Sequence, residues 1–284
     1  MRIVNTFISE TNDIPAYTKI SLEQARKHNP SIPIDFISAG PAEYFKELDI
    51  NWVNQKDVEG DLLQEFRAVS WFDRHGTPNT SHPSPEGFWA KTAERLFYLE
   101  EYISQNKLSN IFHFENDVLL YGDVSTISPD HAVLGINTSE FQTTFALANI
   151  LDTEYYRHVC MAFIQFMKHG ERALLSVGYD HISEMSLLNL ANRNNIIGSF
   201  NIFPEPDNEW VFDPASYGQF LGGTNNEHGP GFIDHKHYIG QSLMQNRISV
   251  SFNDGCPYVR DNERDIERKL FNLHIHSKNL KDFV

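Results

Sequence analysis

The feature that most constrains this chain is the rhythm of its first hundred residues, where strand-like runs alternate with helical ones. Residues 2–8 are rich in β-branched side chains and residues 16–29 have helical composition. Ile32-Pro33-Ile34-Asp35-Phe36-Ile37-Ser38 then returns to strand before Ala39-Gly40-Pro41 breaks it. Strands alternating with helices of this length imply a mostly parallel sheet with helices on its faces. The expected fold class is therefore α/β, and in such sheets ligands bind outside the carboxyl ends of the strands.

Further along, residues 88–106 place Trp89, Ala93, Leu96, Phe97, Leu99 and Ile103 at helical spacing, with Lys91, Glu94, Arg95 and Glu101 largely elsewhere. A short aromatic strand is expected over 111–114, and an apolar run leaves over 118–121. Beyond residue 150 the alternation loosens. Helices are predicted over 155–170 and, capped by Ser183, through Leu190, with a strand over 195–203. Residues 73–87 and 221–231 read as long polar loops rich in Gly, which could order over a bound ligand and exclude water. There is no repeat, low-complexity tract or linker, so residues 1–284 read as one catalytic-type domain.

Composition narrows the function. The formal net charge is −15, which opposes attraction to nucleic acid or anionic lipid, so no nucleic-acid partner is expected. A negatively charged substrate must instead meet a local cluster of Lys, Arg or a bound cation. The two cysteines, Cys160 and Cys256, are too few for a disulfide framework or a thiolate zinc site, which points to a reducing compartment. The first ten residues lack the apolar stretch of a signal peptide. No run approaches the roughly 20 apolar residues of a transmembrane segment, and the expectation is a cytoplasmic protein. The sequons at Asn79 and Asn137 are read as chance.

Two motifs carry the chemistry. Glu115-Asn116-Asp117 puts two carboxylates one residue apart where a strand gives way to a turn, so both can converge on Mg²⁺ or Mn²⁺. The plain alternative is an acidic turn that closes a strand. The apolar flanks Phe112-His113-Phe114 and Val118-Leu119-Leu120-Tyr121 would bury those charges unless something positive offsets them, which favours the metal. Leu273-His274-Ile275-His276 alternates apolar and imidazole, so on a strand both histidines share one face and either can complete a divalent shell. A solvent-exposed strand face, or a hydrogen-bonded histidine pair, is the simpler use of the same pattern. Lys278 follows closely and suits phosphate oxygens as a point charge.

Together these motifs resemble the glycosyltransferases of GT-A type, a fold with a mostly parallel, Rossmann-like central sheet flanked by helices. Glu115-Asn116-Asp117 looks like their DxD motif, with Glu at a first position that is usually Asp, and His-Ile-His-Ser-Lys at 274–278 looks like their late metal ligand and phosphate-binding Lys. The resemblance implies Mn²⁺ or Mg²⁺ on Glu115, Asp117 and His274 or His276, with Asn116 and Lys278 beside a nucleoside diphosphate sugar. It implies a donor-binding half over 1–125 and an acceptor-binding half over 126–284. Lys91 and Arg95, four apart on one helix face, would approach the donor, although a solvated basic face explains their spacing equally.

Glu184 resembles the acidic position beside the transferred sugar, as base or sugar ligand, whereas by itself it is a first-turn carboxylate favoured by the helix dipole. Asp180 lies close enough in sequence to substitute. Asp213 either caps a turn before Pro214 or faces an acceptor hydroxyl. Trp71, Phe72 and Trp210 could stack on sugar rings. The expected activity is metal-dependent transfer of a sugar from a nucleoside diphosphate donor to a hydroxyl of a glycan or related acceptor. The rival readings are a metal-dependent hydrolase of a phosphorylated substrate and a catalytically inactive carbohydrate-binding protein.

Overall fold

A computed structural model describes residues 1–72, 87–179, 182–224 and 228–284. The amino-terminal half delivers the expected alternation: β1 (Arg2–Phe7), α1 (Tyr17–His28), β2 (Ile34–Ser38), β3 (Ile50–Asn54), α2 (Gln55–Val58), α3 (Asp61–Val69), α4 (Phe88–Gln105) and β4 (Ile111–Phe114). There follow β5 (Val118–Leu120), β6 (Val133–Ser139), β7 (Gln142–Ile150), α5 (Thr153–His169), α6 (Glu171–Leu175) and α7 (Glu184–Arg193). The remainder comprises β8 (Gly198–Ser199), β9 (Trp210–Val211), α8 (Ser216–Gly222), α9 (Tyr238–Met244), β10 (Ile248–Asn253), β11 (Cys256–Asp261), β12 (Ile266–Leu270) and β13 (Asn272–His274).

Among the described residues the central sheet has the order β3-β2-β1-β4-β7-β6-β8. β3, β2, β1 and β4 run parallel, β7 is antiparallel to both β4 and β6, and β8 is parallel to β6. This is the α/β class expected, a mostly parallel sheet flanked by helices. The strand period of two explains how it is covered on both faces. On β1, Val4 joins the core formed by α3, α4, α5 and α7, while Ile3 joins the opposite core with α1, α8 and β13. Within the first core Phe66 and Phe97 stack with ring centroids 4.2 Å apart, locking α3 onto α4.

Two regions differ from expectation. The strand predicted over 195–203 shrinks to β8, because the Asn201 side chain bonds the Phe203 main chain in both directions and takes the backbone out of the ladder. Where the periodic signals loosen, the chain instead builds the β6–β7 hairpin and an antiparallel ladder of β10, β11 and β12 with β9 at its edge. Of the two expected loops, residues 73–86 and 225–227 lie outside the described residues, as does Asp180. No helix among the described residues is long and apolar enough to cross a membrane.

Candidate active site

The acidic triplet sits where β4 leaves the central sheet. The Val118 amide donates to the Glu115 carbonyl at 3.1 Å, closing a turn over Glu115-Asn116-Asp117, and Asn116 Nδ2 fastens that turn to the Thr6 carbonyl at 3.0 Å. β5 then pairs antiparallel with β13, His274 opposite Val118, and the Ile275 amide donates to the Asp117 carbonyl at 2.9 Å. This short ladder brings His274 to the acidic turn across 157 residues of sequence. One ligand atom from each of Glu115, Asp117 and His274 lies within 4.8 Å of the others. His274 Nε2 is 3.1 Å from Asp117 Oδ2 and 3.4 Å from Glu115 Oε2.

Cations surround the two carboxylates. Lys278 Nζ binds Asp117 Oδ2 and lies 5.5 Å from the centre of the Tyr17 ring, while Arg95 Nη1 binds Glu115 Oε1. Burial alone would raise the Asp117 carboxyl, yet His274 and Lys278 hold it well below the usual range. Burial likewise opposes ionisation of Glu115, and Arg95 and His274 overcome it. His274 is drawn the other way: burial disfavours its charge, but Asp117 and Glu115 raise it above the ordinary imidazole value. In a chain of net charge −15 three cations, Arg95, His274 and Lys278, thus gather around the buried carboxylates Glu115 and Asp117.

Behind the turn, α4 and α7 add a second carboxylate group. Glu184 opens α7, where Ser183 and Ser186 form a reciprocal capping box. Its Oε2 accepts from Thr92 Oγ1 at 3.3 Å and its Oε1 lies 3.7 Å from Arg95 Nη2. Burial pushes the Glu184 carboxyl up to about 7, with Arg95 opposing the rise. Arg95 therefore faces Glu115 and Glu184 at once, and Thr92 holds Glu184 in place. Neither role was visible in sequence; the one signal was that Thr92 and Arg95 lie three apart on the same helix face.

The other expected site residues are placed differently. β13 ends at His274, so the alternation does not carry on to His276, which enters the following turn. Gln219 Nε2 donates to His276 Nδ1 at 2.9 Å, and burial together with the neighbouring His274 lowers the His276 ring to about 3, leaving it neutral. Asp213 is fully buried and both its oxygens are taken by main-chain amides: Tyr217 on Oδ1, Gly218 and His274 on Oδ2, at 2.8–2.9 Å. It ties α8 to β13 from below the site. Lys91 is half-buried with no ion pair among the described residues. Asn116 Oδ1 is buried without a hydrogen-bond partner among them. Trp71, Phe72 and Trp210 pack into the hydrophobic cores, Trp71 donating to the Met167 carbonyl and Trp210 lying edge-on to Phe271.

No protein-family model matches the chain, and no curated protein does. Solved structures similar to it include the galactosyltransferase LgtC in complex with donor and acceptor sugar analogs, at 15% identity and a TM-score of 0.47 over 80% of this chain and 81% of that one. Mouse xyloside xylosyltransferase 1 is similar at 7% identity and a TM-score of 0.44, over 70% of this chain and 84% of that one. The apo glycosyltransferase GlyE of Streptococcus pneumoniae TIGR4 follows at 9% and 0.42, over 70% and 44%. At such distances function is argued from the site itself.

Proposed function

We propose that this chain is a metal-dependent glycosyltransferase of GT-A type, moving a sugar from a nucleoside diphosphate sugar to a hydroxyl of a glycan or related acceptor. The observation that carries the reading is the convergence of Glu115, Asp117 and His274 beside Lys278, in the order and residue types the GT-A resemblance implies. Two carboxylates and an imidazole, with no thiolate, are a donor set suited to Mn²⁺ or Mg²⁺. Their buried charge is at present offset by a raised imidazole and an ammonium. A divalent cation held there supplies charge that offsets the negative charge of a departing diphosphate.

The chain's own side chains supply the rest. Lys278 sits at the rim of the acidic turn, where its ammonium can pass from Asp117 to a phosphate oxygen. Glu184 is the carboxylate whose proton affinity suits exchange near neutral pH, and Thr92 fixes its orientation. In an inverting reaction it takes the acceptor proton; in a retaining one it orients the transferred sugar. Asp213 serves as the clamp that sets His274, its carboxylate holding the main-chain amides of Tyr217, Gly218 and His274.

The test is nucleotide release from UDP-, GDP- and dTDP-sugars with Mn²⁺, with and without a panel of free saccharides. Release that rises with an added saccharide and leaves a lengthened product supports transfer. Equal release with and without saccharide makes the chain a hydrolase, and none at all favours an inactive sugar-binding protein.

A further inference from the structure

The structure assigns Arg95 as a positioning residue that fixes Glu115 as a one-oxygen ligand of the metal site. The inference rests on the metal reading above. Arg95 lies on α4 with its side chain about nine-tenths buried, and its guanidinium reaches two carboxylates from different elements. Nη1 takes Glu115 Oε1, which leaves Oε2 as the oxygen facing His274 Nε2 at 3.4 Å. Nη2 faces Glu184 Oε1 at 3.7 Å, and Glu184 is itself held by Thr92. Nη2 has no hydrogen-bond partner among the described residues, so Glu184, which does not belong to the metal group, steadies the far side of the fork by charge alone. With Oε1 engaged by Arg95, Oε2 is the Glu115 oxygen presented to His274 and to a cation held there. This also gives the first acidic position a use for Glu: the longer side chain reaches back to α4 and still presents an oxygen to the cation.

Partners that orient a metal ligand from outside typically account for 10–100-fold in metal affinity. A purely electrostatic role would have the opposite sign, because removing a cation beside Glu115 makes the site more negative and should tighten Mn²⁺. The experiment is a Mn²⁺ titration followed by the electron paramagnetic resonance of the free ion, on the whole chain with no nucleotide or turnover. Arg95→Met should bind Mn²⁺ 10–100-fold more weakly than the wild type. Arg95→Lys, which keeps the charge but cannot span both carboxylates, should fall between them.

Because Arg95→Met strands two buried carboxylates, Arg95→Met/Glu184→Gln, which removes one of those charges, is titrated beside it. Should neither fold, Arg95→Lys decides. Variants that bind within twofold of the wild type, or more tightly, overturn the role of Arg95 and leave the metal site standing. A wild type that binds no Mn²⁺ overturns the metal site and this inference with it.

Discussion

Burial raises the Glu184 carboxyl to about 7, with Arg95 opposing, so this residue holds its proton more tightly in the folded chain than in the unfolded one. The sign of the pH dependence follows. The stabilisation that comes with that proton is complete below the ordinary value of 4.5 and is lost as pH rises through about 7. Glu184→Gln should therefore remove part of the fall in stability between pH 5 and pH 8, measured by urea unfolding at both. In an inverting reaction the same variant should abolish the rising limb of kcat/KM near pH 7; an unchanged limb would assign the proton transfer elsewhere. At this scale the sequence was informative where chemistry is written in residue type. Glu115, Asp117, His274 and Lys278 do converge. It was uninformative where a side chain's partners come from other elements: Arg95 was expected to approach the donor or to lie on a solvated basic face, and in the fold its guanidinium is turned inward onto two carboxylates.

Elements enter through the short pairing of β5 with β13, which sets His274 against Asp117. That pairing is supported by α8, whose Gly218 packs so closely on β13 that a Cβ there would fall on the His274 carbonyl. Gly218→Ala should push the helix off the strand, cost roughly 1–3 kcal/mol as overpacking does, and weaken Mn²⁺ binding with it. Gly229→Ala, at a position with nothing near, is the control and should change neither. Urea unfolding and the Mn²⁺ titration read both. The elements that repeat a simple period were legible: β1, α1, β2, α4 and α5 fall within a few residues of their expected bounds. The β10–β11 hairpin was not read from the sequence, although Asp254-Gly255, with positive φ angles of 52° and 71°, suits its tight two-residue turn. The strand over 195–203 failed because its β-branched composition said nothing of the Asn201 side chain that competes for the backbone.

For the whole molecule, the fold places the site at the carboxyl end of β4, on the central sheet, and builds its other wall from the last strand of the chain. The α/β class could be read from the first hundred residues because a parallel sheet needs its crossover helices in sequence order. The long-range closure was legible only through the family resemblance, which sets Asp117 and His274 or His276 on one cation, since nothing local records that residues 117 and 274 are neighbours. The net charge of −15 gives this closure its significance, because under the proposed function an anionic donor would have to be received where Lys278 and His274 gather.

The measurement that bears most directly on this account is the thermal midpoint of the wild type and of Asp117→Ala with nucleoside diphosphate sugars, each with and without Mn²⁺. A ligand at about 100 times its Kd adds about 2.7 kcal/mol, which in a chain of this size raises the midpoint by roughly 4–5 °C. One nucleotide should give such a rise in the wild type, only with Mn²⁺, and none in Asp117→Ala. An equal rise in both proteins, or none with any nucleotide in folded wild-type protein, would contradict it.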